Sequence, residues 1–235
     1  MASHVTSLRS HETVALGTMA FHFAKPQGFV FKPGQAIELI LPGGDDMRHA
    51  FSIVSAPYED DLVIATRMRD SAFKKALGAL APGGAAALDG PFGSLTLHRK
   101  AERAAVLVAG GIGVTPFMSM LREAAHDHAA RDLRLLYSNR RPEDTAFLAE
   151  LEAMEQRNQR FRLVATMTQM SKSTEAWSGA RKLIDSDFVK QATSTCASPI
   201  FYLAGPPGMV DAMRTTLAAA GVDEDDVRSE EFYGY

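Results

Sequence analysis

The chain has 235 residues, of which 46% are hydrophobic and 23% charged, an ordinary globular composition with enough apolar material to bury a real core. Lysine plus arginine number 25 against 28 acidic residues, so a net charge of −3 gives no overall pull toward nucleic acid or an anionic membrane. A lone cysteine, Cys196, excludes an internal disulfide and any iron–sulfur cluster or zinc site built from several of the chain's own thiolates.

Residues 1–14 mix Ser, His, Arg and Glu and hold no apolar stretch of signal-peptide type. The longest apolar runs have the length of a buried strand, far short of the roughly 20 residues a membrane helix needs. The cytoplasm is therefore the expected location, with no membrane partner. Up to about residue 100 the pattern favours strands, at residues 14–16, 21–23, 36–41, 51–54 and 62–65. Pro/Gly turns separate them, and short strands broken this way predict a small antiparallel sandwich or barrel. Residues 71–80 are the exception, with alanines near helical spacing behind Ser71 as N-cap.

The polar stretch 98–103 is the expected linker, dividing the chain into domains 1–100 and 101–235. Beyond it, strands predicted at 105–109, 133–137, 161–167 and 200–204 alternate with helices at 116–126, 145–157, 183–192 and 209–220, and an extended piece at 227–232 closes the chain. Such alternation predicts a parallel sheet with helices on its faces. The first of these strands runs into Gly110-Gly111-Ile112-Gly113-Val114-Thr115-Pro116, where the glycines permit a tight turn and a close approach of backbone to a ligand. Pro116 suits the first turn of the helix that follows. Free N–H groups and the helix dipole then make this a candidate pyrophosphate site. Gly205-Pro206-Pro207-Gly208-Met209 forms a second turn of the same kind at another strand's carboxyl end. In a parallel sheet both turns can face one crevice. The strand at 133–137 leads into Ser138-Asn139-Arg140-Arg141, with no acid for a ribose 2′-hydroxyl, unlike the ordinary dehydrogenase pattern.

Six motifs in order resemble the ferredoxin–NADP reductase superfamily, in particular its stand-alone bacterial members without a ferredoxin domain, across nearly the whole chain. Phe31-Lys32-Pro33-Gly34-Gln35 resembles the family's F-x-P-G-Q turn. His49-Ala50-Phe51-Ser52 falls where the family carries its flavin strand R-x-[YF]-[ST], and Gly90-Pro91-Phe92-Gly93 resembles the end of the flavin domain. The loops at 110–116 and 205–209 resemble its two nucleotide turns. Glu230-Glu231-Phe232-Tyr233-Gly234-Tyr235 resembles its acid-plus-aromatic tail.

The resemblance implies an FAD-binding antiparallel barrel followed by a Rossmann-like NAD(P)-binding α/β domain. It also implies a flavoprotein oxidoreductase that passes a hydride from NAD(P)H to the flavin N5 and then electrons to a separate ferredoxin, flavodoxin or oxygenase iron–sulfur component. Carried over position by position, His49, Ala50, Phe51 and Ser52 line the flavin, with the Ser52 hydroxyl near N5. Thr66, Arg67, Met68, Ser71 and Lys74 receive the FAD pyrophosphate. Gly111, Gly113, Thr115, Pro116, Asn139, Arg140, Gly205 and Pro206 hold the nicotinamide dinucleotide, and Phe232 or Tyr235 covers the flavin. Ser52, Glu230 and Tyr235 are the expected catalytic residues, and no metal is called for. His49 stands where the motif has arginine, and an ordinary imidazole is mostly neutral at pH 7, so FAD is expected to bind less tightly than usual or to be held through Arg67 instead. Arg140 and Arg141 suit a 2′-phosphate, while Thr166-Met167-Thr168-Gln169 lacks the Ser/Arg pair of NADPH users and tilts the choice to NADH. Reduction of free flavin or a ferric chelate is the rival activity, and a non-catalytic flavin-binding redox sensor or complex subunit the rival of another class.

Overall fold

The computed structural model describes residues 3–232, and of Asp45 the backbone alone. The chain folds as two compact units, one of residues up to 96 together with 115–124, the other of 97–114 and 125 onward.

The first unit is a six-stranded antiparallel sheet of strands β1 (His4–Ala15), β2 (Thr18–Ala24), β3 (Ala36–Ile40), β4 (Arg48–Ser52), β5 (Asp61–Arg67) and β6 (Ala85–Phe92), in the order β4-β3-β6-β1-β2-β5. Strand β1 serves two neighbours, pairing its start with β6 and the rest with β2 across a register shift. Just past β4 the chain returns to the far edge, where Val54 N–H donates to the Val63 carbonyl at 2.8 Å and Val63 N–H to the Ser55 hydroxyl at 2.9 Å. The two edge strands are thereby stitched together, which leaves a barrel rather than an open sheet with exposed edges. Alternation fills its interior with Leu8, Phe21, Phe23, Ile37, Leu39, Leu62, Ile64 and Leu88, all buried. Helix α1 (Ala72–Ala79) starts at Ser71, whose hydroxyl accepts from Lys74 N–H at 3.2 Å, and it tucks Phe73 and Leu77 into the same core.

The second unit is a five-stranded parallel sheet of β7 (Ala105–Gly110), β8 (Leu133–Asn139), β9 (Phe161–Met167), β10 (Ile200–Gly205) and β11 (Val227–Glu231), in the order β11-β10-β7-β8-β9. Every residue of β7 and β10 is buried, as befits strands covered on both faces. Helices α4 (Ser186–Thr193) and α5 (Pro207–Ala219) lay Phe188, Val189, Val210, Met213 and Leu217 onto Val106, Val108, Phe201 and Leu203. Helix α2 (Thr115–His126) follows β7 in the chain but packs as part of the first unit, where its Ser119 hydroxyl donates to the Ser55 carbonyl at 2.6 Å. Helix α3 (Leu148–Arg157) precedes β9.

The helix expected from residue 145 begins at Leu148. Pro142–Asp144 form a 3-10 turn, and Phe147 sits in the left-handed region at φ 61, so the helical ladder cannot extend back through it. The helix expected from residue 183 starts after Asp185, whose carboxylate accepts Phe188 N–H at 2.7 Å.

The stretch 98–103 is anchored inside the second unit. The buried His98 receives Tyr202 Oη at 2.7 Å on Nδ1, donates its backbone N–H to the same oxygen at 2.8 Å, and places Nε2 3.2 Å from the Arg103 carbonyl. The Arg131 guanidinium donates to the His98 carbonyl, and Arg103 pairs with Asp226 at 2.7 Å. A neutral ring protonated on Nε2 satisfies this network. Burial, then the Arg131 charge, hold the His98 pKa below its usual 6.5. The unfolded chain therefore binds more protons, and stability is full above about pH 6.5 and declines as the pH falls below it. Tyr202→Phe is expected to cost about 1–3 kcal/mol in urea unfolding at pH 7.5, because two buried groups of His98 lose their partner. An unchanged urea midpoint contradicts this account of the network.

Candidate functional site

In the first unit the expected flavin strand β4 divides its residues between two faces. Arg48 points away from the His49 face and is spent there, on Glu38 at 2.5 Å and Asp89 at 2.7 Å. On the other face the His49 ring stacks on Phe51 with centroids 5.0 Å apart, and Phe73 of α1 lies against both, at 5.5 Å from His49 and 5.8 Å from Phe51. Phe51 is only 6% exposed while His49 is partly open, so His49 is the outward member of this aromatic stack. Ala50 is exposed. Lys74 runs from α1 across to β5, donating to Thr66 Oγ1, and its amine lies 4.6 Å from the Phe51 ring centre. Burial lowers the Lys74 pKa to about 8. Ser71, as the N-cap of α1, is exposed, and Arg67 and Met68 flank the helix start, half-buried. Ser52 is 95% buried and its hydroxyl oxygen has no hydrogen-bond partner among the described residues. An orphaned buried hydroxyl costs free energy unless a ligand satisfies it.

In the second unit the strand order reverses between β7 and β10: β8 and β9 follow on one side of β7, while β10 and β11 lie on the other. Ligands of open α/β sheets bind beyond the carboxyl ends of the strands at such a switch point. Both glycine-rich turns are there. A Cβ on Gly205 would stand 3.4 Å from the Gly110 backbone, and one on Gly113 only 2.2 Å from the Ala204 carbonyl oxygen. Gly111 differs: its φ of +55 suits glycine, and nothing lies within 4 Å of where its Cβ would be. Gly113 thus serves packing between the two turns, while Gly111 keeps open the space in front of the loop. Thr115 and Pro116 form the buried first turn of α2, and Pro206 precedes the first turn of α5.

The last strand flanks this junction. Glu230 pairs in register with Ala204, and Phe232 N–H donates to the Gly205 carbonyl at 3.0 Å. The Glu230 carboxyl has no ionic or hydrogen-bond partner among the described residues, and burial raises its pKa. Tyr235 lies outside the described residues.

At the carboxyl end of β8, Asn139 is buried, and its amide nitrogen has no partner among the described residues. The two arginines that follow part company. Arg141 grips Asp144 with two bonds of 2.9 Å and donates to the Lys172 carbonyl at 3.2 Å, whereas the exposed Arg140 guanidinium engages no partner among the described residues. Glu143 holds the neighbouring loop through Ser173 Oγ at 2.7 Å and Thr174 N–H at 2.9 Å, and backbone N–H groups draw its pKa down to about 2. Sequence reasoning missed Phe73 and Glu143: a helical phenylalanine reads as core, and an acid in a polar loop reads as solvated surface.

The unspent groups fit two anionic dinucleotides. The buried Ser52 hydroxyl and the Lys74 cation beside an aromatic stack suit a flat heterocycle with phosphates, and the open space before Gly111, beside an unpartnered Asn139 amide and a free Arg140, suits a second nucleotide. Residues 107–215 match the oxidoreductase NAD-binding domain family. The chain is 35% identical over 167 residues to ferredoxin–NADP reductase B of Sorangium cellulosum, covering 69% of this chain and 67% of that protein. It is 32% identical over 215 residues to the reductase component of propane 2-monooxygenase from Mycolicibacterium smegmatis, covering 88% of this chain and 61% of that one. The chain thus spans about three fifths of the length of such monooxygenase reductase components. Among solved structures, a ferredoxin NADP+ reductase from Neisseria gonorrhoeae superposes with a TM-score of 0.83 at 24% identity, covering 98% of this chain and 99% of that one. An Amycolatopsis cytochrome P450 reductase reaches 0.84 at 22%, over 98% of this chain and 70% of its own. By its sequence relatives, and with a fold to match, the chain belongs to the ferredoxin–NADP reductase superfamily.

Proposed function

We propose that the protein is an FAD-dependent NAD(P)H oxidoreductase that hands electrons to a separate carrier, a ferredoxin, a flavodoxin or the iron–sulfur component of an oxygenase, in the cytoplasm. Residues 1–100 hold FAD and residues 101–235 the nicotinamide dinucleotide. The observation that carries this reading is the meeting of two glycine-rich turns at the switch point between β7 and β10, with the unpaired Glu230 carboxyl on the adjoining strand.

Bound FAD would accept a hydride from the reduced nicotinamide and release electrons singly. The chain's own part is to bind and orient. His49 and Phe51 offer an aromatic surface, Lys74 and the N–H groups at the start of α1 a phosphate site, and Ser52 an unspent hydroxyl for the reacting edge of the ring. The Gly111 backbone receives the dinucleotide phosphates in its open space. Glu230, whose pKa burial pushes upward, places its carboxyl beside the nicotinamide turn.

Arg140 is the group free to meet a 2′-phosphate. NADH draws on the backbone turns alone, and NADPH draws on Arg140 in addition. Arg140→Ala is expected to weaken NADPH binding about tenfold, or about 1.4 kcal/mol, and to leave NADH within a factor of two. Equal losses for both coenzymes in a binding titration contradict that role.

The electron acceptor is tested with the FAD-loaded protein and NADH or NADPH, following cytochrome c reduction with and without an added bacterial ferredoxin. Reduction that requires the ferredoxin supports the reading. Rapid turnover of free FMN or ferric citrate, with no response to any carrier protein, overturns it in favour of a free-flavin or ferric-chelate reductase.

A further inference from the structure

Among the described residues, Lys74 is a buried cation without a counter-charge. It lies in the first turn of α1, is 7% exposed, and among the described residues its amine meets the Thr66 hydroxyl and the face of Phe51. The charged groups around it are otherwise disposed. On its own helix Lys75 is taken by Asp70 at 2.5 Å, both well out in solvent. Strand β4 brings the His49 ring, which stacks on Phe51, and β5 brings Arg67, a like charge. The 3-10 turn Asp45–Met47, which packs on α1, brings the exposed Asp46, and no described carboxylate is bonded to the Lys74 amine. An ammonium desolvated without a partner is costly, and the protein relieves the cost either by losing the proton or by gaining an anion. The start of α1 is where an anion is favoured, since its first N–H groups and dipole point that way.

We propose that Lys74 couples FAD binding to proton uptake: the phosphate oxygens of the cofactor supply the counter-charge that the chain withholds, and the amine is fully protonated only once they are in place. This rests on the flavin reading above and specifies how the affinity of that site is regulated by pH. The sign follows from burial. In the cofactor-free protein the amine titrates at about 8, against an ordinary 10.5 that an ion pair restores. Binding therefore takes up little proton at pH 7 and about one at pH 9, and the affinity falls by about 30-fold between pH 7 and pH 9.5.

The experiment titrates the protein with FAD at pH 7 and pH 9.5 by flavin fluorescence, runs riboflavin in parallel as a phosphate-free probe, and measures proton uptake at pH 9 by calorimetry in two buffers of different ionisation enthalpy. The expected result is an FAD dissociation constant about 30-fold higher at pH 9.5, a riboflavin constant that does not move with pH, and about one proton taken up with FAD. In Lys74→Met, which keeps the buried stem and removes the charge, FAD binds more weakly at pH 7 and both pH effects vanish. FAD affinity that is flat with pH and takes up no proton overturns the inference while leaving the flavin reading intact. A parallel loss of riboflavin affinity overturns the phosphate pairing. Failure to bind either flavin at pH 7 overturns the flavin reading, and the inference with it.

Discussion

Ser52→Ala is expected to slow flavin reduction by NAD(P)H about 100-fold without weakening the fold. The magnitude is that of removing one preorganised donor from a site where charge develops. Stability should not fall with the rate. Ser52 is 5% exposed and its hydroxyl has no partner among the described residues, so the folded protein carries an unsatisfied polar atom at this position. Replacing it by a methyl removes that desolvation cost, and the urea midpoint should stay level or rise by the equivalent of about 1 kcal/mol. Stopped-flow reduction and urea unfolding on the same preparation check both halves. A variant that loses stability and rate together makes Ser52 a structural residue and contradicts its assignment to the flavin.

Gly113→Ala and Gly111→Ala should separate packing from binding within one loop. An added methyl at Gly113 meets the Ala204 carbonyl oxygen at 2.2 Å and its carbon at 2.6 Å, backbone atoms of a buried strand that cannot swing aside. The expected cost is about 3 kcal/mol, the upper range for overpacking, visible as a lower melting temperature before any nucleotide is added. At Gly111 the methyl meets no protein atom, and the penalty is that of a positive φ, about 1–2 kcal/mol. Its larger effect falls on the ligand side, where the methyl occupies the space proposed for phosphate, and NADH and NADPH should each bind at least about tenfold more weakly, an assumed loss of 1.4 kcal/mol. Thermal unfolding together with nucleotide titration decides the matter. A stable Gly113→Ala protein, or a Gly111→Ala protein with unaltered nucleotide affinity, reverses the two roles.

The two halves of the fold were legible because their apolar periods differ, and because strands such as Ala105–Gly110 and Ile200–Gly205, buried on both faces, read as unbroken apolar runs. Strand β1 was legible only at its end. Its middle, from Arg9 to Glu12, is exposed and polar, so no alternation marks it as a strand, and pairing with β2 rather than composition makes it one. Strand β6 (Ala85–Phe92) was missed for a related reason: alanines followed by Asp-Gly-Pro carry little β signal, and neighbours on both sides supply it. Within the candidate site, motif spacing pointed to His49, Ser52 and the glycine turns. It could not tell that Arg141 is committed to Asp144 while Arg140 is free, or that Lys74 lies buried against Phe51. Those are facts of side-chain geometry set by contacts remote in sequence.

Every role assigned to these residues requires that the chain take up FAD and let a nicotinamide reduce it. The measurement is an anaerobic titration: saturate the protein with FAD, remove the excess by gel filtration, and follow the visible flavin absorption as NADH or NADPH is added. The expected result is a yellow protein, with flavin and chain in equal amounts, that bleaches with either coenzyme. A colourless protein after filtration, or a bound flavin whose spectrum neither coenzyme alters, contradicts it.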